Sequence, residues 1–440
     1  MQIELLYKKF LSSTGVTTDT RNIGGGNIFF ALKGDKFNAN EFAEEALNKG
    51  AGYVVVDEIK NESWKEKFGE CLILVDDVLK TLQQLSGYHR AQLKCPVLAI
   101  TGSNGKTTTK ELVAAVLSKK YVTYATKGNL NNHIGIPLTL LSIKSDVKFA
   151  VIEMGANHQR EIASYCEYVK PDYGLIVNVG NAHLEGFGGF EGVVKGKTEL
   201  YAHLAAANGK VFVSSENEIL LSKISDFRFQ ISNIVSYGKA SSAFCKGEVG
   251  ESKEFLSVIV DGVSIPSNLV GEYNFENVMS AVCIGKYFGV EISQIKEAIE
   301  NYLPTNNRSQ KITLGSNTII LDAYNANPSS MIEALKNFEK IIVGQATNNC
   351  VVILGQMMEL GQYSVTEHEK IYASVSNPDW KEVKRVFVGH GFDFLKRNTN
   401  VLWFEKTDEV KTWFKQQQFE NSYILIKGSR KNELEKILEM

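Results

Sequence analysis

The residues of this 440-residue chain whose types and spacing could do chemistry begin at 101–109, with the run TGSNGKTTT. Two glycines, a lysine and several hydroxyls suit phosphate. Backbone N–H groups of Gly102, Ser103, Asn104 and Gly105, backed by the positive end of a following helix, converge on one anion-binding point. Lys106 reaches β- and γ-phosphates there, and the Thr107 hydroxyl, with Thr108 beside it, is offered to Mg²⁺. The full pattern GxxxxGK[ST] has glycine where this chain has Ile100, so the loop is a shortened form. A glycine turn without a ligand is the alternative, and packing alone explains such a residue set poorly.

Other polar residues fall where an apolar run gives way to a loop. Glu153 closes one such run, and Asn178 and His183 follow another. A carboxylate beside a phosphate loop suits Mg²⁺, which takes oxygen ligands and uses only one or two protein carboxylates. Glu153 is that candidate, against a solvated strand end. Residues 126–141, TKGNLNNHIGIPLTLL, are rich in Asn and Gly. Their amides, Asn131 and Asn132 among them, suit a polar substrate, while a plain loop stays open because asparagine tolerates turns. Lys195 and Lys197 lie on a helical stretch, 191–206, where charges usually form a solvated face. Near the start, Thr18, Asp19, Thr20 and Arg21 precede FFALKGDKFNANEF at 29–42, which on pattern alone is a turn and an amphipathic helix start. Late in the chain stand DAYNANPSS (322–330), GQMMELG (355–361) with His368, and KGSR (427–430).

The elements that must position these groups alternate regularly. Residues 97–100 read as a buried parallel strand, and Leu112, Val113, Val116 and Leu117 follow at helical spacing. Residues 1–93 alternate short strands (28–32, 53–56, 72–75) with helical stretches such as 41–48, closed by Gly50. From 94 to 304 strands at 149–154, 175–179 and 211–214 alternate with helices, which implies a parallel sheet covered on both faces, with ligands at the strands' carboxyl ends. The helical pattern stops in a polar stretch at 303–307. Beyond it, strands at 318–323, 351–354, 385–388 and 423–426 define another α/β sheet in 305–440.

Length and composition bound the rest. A chain of 440 residues makes two or three domains. With 44% hydrophobic and 22% charged residues and a net charge of −2, it has no global basic field to attract nucleic acid, so any anionic ligand needs a local site. The 6 cysteines are scattered without a CxxC pair, which argues for a reducing compartment and against disulfides or structural zinc. Neither a signal peptide nor an apolar run long enough to span a membrane is visible, so a cytoplasmic protein is expected.

In their order, TGSNGKTTT, NHIGIP, IEMGANHQREI, NVGNAHLEGFGG, DAYNANPSSM and KGSR resemble the motifs of the Mur ligases over nearly the whole length. The resemblance implies three α/β domains. A small N-terminal domain (1–93) would bind a UDP-sugar, a central P-loop ATPase-type parallel sheet (94–304) ATP, and a Rossmann-like C-terminal domain (305–440) would complete the ligase. It implies an ATP-dependent amide ligase joining D-alanyl-D-alanine to UDP-N-acetylmuramoyl-tripeptide through an acyl phosphate, and a monomer is expected. It implies ATP and Mg²⁺, with Lys106 and Thr107 on the phosphates and metal, Glu153 and His183 in a two-magnesium cluster, and a carbamylated Lys197 as an oxygen ligand. Asn274 and Asn277 would stand on the adenine side, where Tyr273 replaces the family's usual histidine. Arg308 matches the arginine of the interdomain segment, Asp322 would face the ribose, and Asn325, Asn327 and Lys427 would line the site from the third domain. Thr18, Asp19, Thr20, Arg21, Lys33 and Gly34 resemble the uridine-diphosphate pocket, with Asn40 where a histidine is often seen. A sister enzyme adding a single amino acid, a folylpolyglutamate synthetase-like ligase and a non-enzymatic P-loop regulator are the alternatives.

Overall fold

The computed structural model describes residues 2–251, 255–304, 307–343 and 349–439; Thr305 and Asn306 of the expected linker lie outside them. Three main sheets carry the fold. The first has strand order Val16–Thr17, Ile28–Phe30, Tyr53–Val56, Leu72–Leu74, every pair parallel. The third runs Gln310–Leu314, Asn317–Asp322, Tyr423–Lys427, Cys350–Gly355, Lys384–Val388, Leu402–Phe404, parallel except for its first, antiparallel pair.

The central sheet has nine strands. Val97–Thr101, buried at every residue, lies between Tyr173–Ile176 and Phe149–Glu153, parallel to both. The pairings Ile176↔Thr101 and Ile100↔Glu153 bring three carboxyl ends level, so the loops leaving them share one edge. Helix Lys106–Leu117 buries Leu112, Val113, Val116 and Leu117 completely against the sheet and helix Phe275–Tyr287.

Two expectations needed adjustment. The second expected strand stops at Ile176 rather than running to 179, which frees residues 177–183 for the site. The central sheet is also not purely parallel: Cys245–Val249, Phe255–Val260 and Val263–Val270 extend it as an antiparallel meander. Its hairpin turns at Asp261 and Gly262, both at positive φ (51° and 76°), the conformation an Asp-Gly pair supplies to a two-residue hairpin.

Helix Val78–Gln92 belongs to two sheets at once. Leu82 and Leu85 sit in the N-terminal core, with Leu6, Phe10 and Ile28. One turn later the His89 ring bonds the Tyr7 hydroxyl through Nδ1 (3.1 Å) and the Ile143 carbonyl through Nε2 (2.9 Å). Arg90 donates to the carbonyls of Val169 and Lys170 and to Asp172, which also accepts from the N–H of Val97 at the start of the central strand.

Candidate active site

The loop after Val97–Thr101 is held from both sides. The Ser103 and Asn104 N–H groups donate to the carbonyl and side-chain oxygens of Asn178, and the Ser103 hydroxyl and the Gly180 backbone bond reciprocally. Gly105 takes φ 76°, and a Cβ there would collide with the Asn277 amide, so only glycine fits. Asn277 accepts from Thr109 (3.0 Å) and donates to Asn274 (2.8 Å), so the two amides expected on the adenine side both line the cleft, with these groups already engaged inside the protein.

Lys106 donates to the carbonyls of Gly102 (2.6 Å) and Ser103 (3.1 Å), its own loop. Burial, only partly offset by Glu153, pulls its ammonium down to about 8. Glu153 is 1% exposed; its Oε1 accepts from the Thr107 hydroxyl (3.1 Å) and from Asn131 (2.8 Å), while its buried Oε2 has no partner. An orphaned carboxylate oxygen beside a hydroxyl is a site that fits a hard cation. Among the described residues no group of three or more His, Cys, Asp or Glu is gathered for a metal. Glu153 and the Thr107 hydroxyl are the oxygens that such a cation would meet here.

Lys197 is fully buried behind the cleft. Its amine donates to the Ala156 carbonyl (2.9 Å) and stands 5.0 Å above the Phe187 ring, and burial lowers its basicity far below that of an ordinary lysine. His183, at φ 53°, bonds through Nδ1 to the carboxylate of Glu359, in the loop after strand Cys350–Gly355 of the third sheet.

A cleft of about 970 Å³ gathers Lys106, Thr107, Glu153 and His183 with Arg308, Asp322, Asn325 and Lys427 from the C-terminal part. Asp322 is ion-paired with buried Lys427, and Arg308 lies flat on Tyr324, 3.7 Å from the ring centre. The C-terminal part touches the phosphate loop directly: Asn327 donates to Asn104 (2.7 Å), and Ser329 accepts from the N–H of Asn181 (2.9 Å).

Thr18, Asp19, Thr20, Arg21, Lys33 and Gly34 are not part of this cleft. They follow two adjacent parallel strands at the carboxyl edge of the N-terminal sheet. Asp19 grips the Arg21 guanidinium with both oxygens, and Lys33 pairs with Asp57 (2.8 Å). Between the two regions runs 126–141, where the His133 carbonyl, at the cleft, accepts from Gln83 of the shared helix (3.1 Å). Asn178 was singled out from its strand end without a role, and Tyr324 and Glu359 lay in quoted motifs without one; the structure brings all three to the cleft.

Three α/β sheets in sequence, with a glycine-lysine loop at the carboxyl edge of the central one and the third sheet's loops on the same cleft, define the class. Family models match in order: Mur ligase family, catalytic domain, at residues 12–90; Mur ligase middle domain at 100–285; and Mur ligase, glutamate ligase domain, at 307–430. The chain belongs to the Mur ligase family. It is 32% identical to the UDP-N-acetylmuramoyl-tripeptide–D-alanyl-D-alanine ligase of Bacillus subtilis (strain 168), over 97% of this chain and 92% of that one. To the ligase of the same name from Escherichia coli (strain K12) it is 34% identical, over 81% and 77%. The crystal structure of MurF from Acinetobacter baumannii superposes with a TM-score of 0.84 at 29% identity, covering 96% of this chain and 92% of that one.

Proposed function

We propose that this enzyme joins D-alanyl-D-alanine to the terminal carboxylate of UDP-N-acetylmuramoyl-tripeptide with consumption of ATP, a step of peptidoglycan synthesis. The observation that carries the reading is the meeting, on one cleft, of the phosphate loop with Arg308, Asp322 and Lys427. ATP held by the loop thereby faces residues of the sheet that must bring in the second substrate.

A carboxylate is a poor electrophile, so its oxygen first takes the γ-phosphoryl group of ATP, releasing ADP. The dipeptide amine then attacks the acyl carbon, and the tetrahedral adduct expels phosphate and loses a proton to give the amide. Loop N–H groups and Lys106 hold the phosphates and spread the charge of the transferring group, the main work in such transfers. Glu153 and Thr107 would hold Mg²⁺, with His183 and a carbamylated Lys197 as further ligands; the metal supplies neutralising charge at the phosphoryl oxygens. Asn131 keeps Glu153 oriented. The docked C-terminal part covers the loop and keeps water from the acyl phosphate.

Residues 1–93 serve as the UDP-sugar domain, 94–304 as the ATP domain and 305–440 as the ligase domain. The monomer is the working unit of this reading. Among the described residues no helix is long and apolar enough to cross a membrane. ATP and a nucleotide-sugar as substrates put the reaction in the cytoplasm. Phosphate release from ATP with UDP-N-acetylmuramoyl-tripeptide, with and without D-alanyl-D-alanine, tests the reading. Release that ignores the dipeptide would defeat it.

A further inference from the structure

The chain enters its C-terminal part through a turn held in a costly shape. Asn307 (φ 56°) and Ser309 (φ 47°) are both left-handed without being glycine, and Arg308 stands between them. Such conformations persist in side-chain-bearing residues where the surroundings over-determine them, and they cluster at functional positions. Ser309 is buried, and its N–H and its hydroxyl are both held. The N–H donates to Oδ1 of Asp322 (3.3 Å), whose other oxygen takes the Lys427 amine. The hydroxyl bonds the hydroxyl of Tyr273 (2.8 Å).

Tyr273 belongs to the central part, in the short turn Glu272–Asn274 that leads into helix Phe275–Tyr287. Gly271 before it takes φ 95°, and a Cβ there would collide with the Tyr273 ring, which therefore packs against bare backbone. Burial, reinforced by the Asp322 carboxylate, pushes its phenol up, so the hydroxyl stays protonated. One hydrogen bond thus runs from the central part to the residue after Arg308.

What the turn presents is the Arg308 guanidinium. It lines the cleft from its seat on Tyr324, and its buried Nε has no partner among the described residues. It also stands near enough to Lys106 for its charge to help lower that amine's basicity. A second cation beside the phosphate loop suits the charge that shifts when a phosphoryl group transfers. Arginine is long, and its aim is only as firm as the backbone beneath it. A turn free to leave the left-handed region would point the guanidinium elsewhere.

Resting on the function proposed above, we propose that Tyr273 is a positioning residue for phosphoryl transfer: its hydroxyl, through Ser309, locks the 307–309 turn and so aims Arg308 at the phosphates of ATP. Tyr273→Phe keeps the ring and removes the bond. The kcat of dipeptide-dependent phosphate release should fall about tenfold, the weight of one hydrogen bond. The KM values for the nucleotide-sugar and the dipeptide should stay within about twofold. Ser309→Ala should repeat the loss, and the double variant should be no slower than either single one, because both remove the same bond. Tyr273→Phe combined with Ser309→Gly should regain most of the activity, since glycine holds the left-handed turn without a lock. In an Arg308→Ala background, itself slower, Tyr273→Phe should cost nothing further. An unchanged kcat in Tyr273→Phe, losses that add in the double variant, or a Tyr273→Phe effect undiminished without Arg308 would each overturn the assignment. The last of these would mean that Tyr273 acts on the nucleotide itself. Wild-type phosphate release independent of the dipeptide would instead overturn the function beneath it.

Discussion

At Lys106 the side chain already makes two hydrogen bonds to its own loop, so binding ATP exchanges carbonyl partners for phosphate oxygens. Lys106→Ala removes charge stabilisation that matters most in the transition state. Turnover should fall by about 10²–10³-fold with the unfolding midpoint little changed; near-normal turnover would remove the lysine from the mechanism. Lys197 supports a second prediction. Burial lowers the basicity of the Lys197 amine, which favours the free amine that adds CO₂, and the carbamate would supply the oxygens that Glu153 alone does not. Lys197→Ala should be nearly inactive and should recover activity with added short carboxylic acids, whereas Lys195→Ala should keep most of its activity. The reverse pattern would move the modification to Lys195. Lys106, Thr107 and Glu153 were legible in the sequence because residue type and strand-end position agree. Lys197 was not: on spacing alone it belongs to a solvated helix face, and only the resemblance pointed inward. The engagement of Arg21 by Asp19 was equally invisible, since a turn sequence does not say which donors its own acid will take.

At the scale of elements, two buried histidines act as joints: His89 where the shared helix meets the central sheet, and His368 under the Glu359 loop. Burial lowers the basicity of both rings. The unfolded chain therefore binds protons that the folded one refuses. The stability is fully present above the unfolded value of about 6.5 and is lost as pH falls through the lower folded values. Urea midpoints should drop between pH 7.5 and 5, and His89→Gln should flatten that slope. A slope identical in both proteins would take His89 out of the account. The alternating strands and helices were legible because buried parallel strands are continuous apolar runs. The meander was missed although Asp261-Gly262 marks its hairpin, because the helix–strand alternation on either side was read across it. Its first strand is also no continuous apolar run: Lys246 and Glu248, exposed, alternate with buried Cys245 and Gly247.

In the whole molecule the C-terminal part rests on the central one, with Asn327 on Asn104 of the phosphate loop, Ser329 on Asn181 and Glu359 on His183. One apolar cluster includes Leu184 and Phe187 of the central part and Met357 and Leu360 of the C-terminal part. Groups on both sides of 303–307 make up one site, so opening is needed to admit ATP and closing to use it. Solution scattering should give a smaller radius of gyration with an ATP analogue and the nucleotide-sugar bound than without ligands. If the radius is constant while turnover is intact, a disulfide holding the two parts open decides the matter, since it abolishes catalysis only where closure is required.

The helix shared by the N-terminal and central sheets is wedged at both ends, by Leu82 and Leu85 in one core and by the His89 and Arg90 bonds in the other. These contacts hold the N-terminal sheet edge at a set distance from the phosphate loop, whatever the C-terminal part does. A substrate gripped by its nucleotide end is then measured like a rod in a gauge. UDP-N-acetylmuramoyl-dipeptide should bind with nearly the affinity of the tripeptide, yet its carboxylate, one residue short, should stop below the γ-phosphate and release no phosphate. If instead it is phosphorylated at a comparable rate, the gauge does not exist, and length must be read by side-chain contacts along residues 126–141.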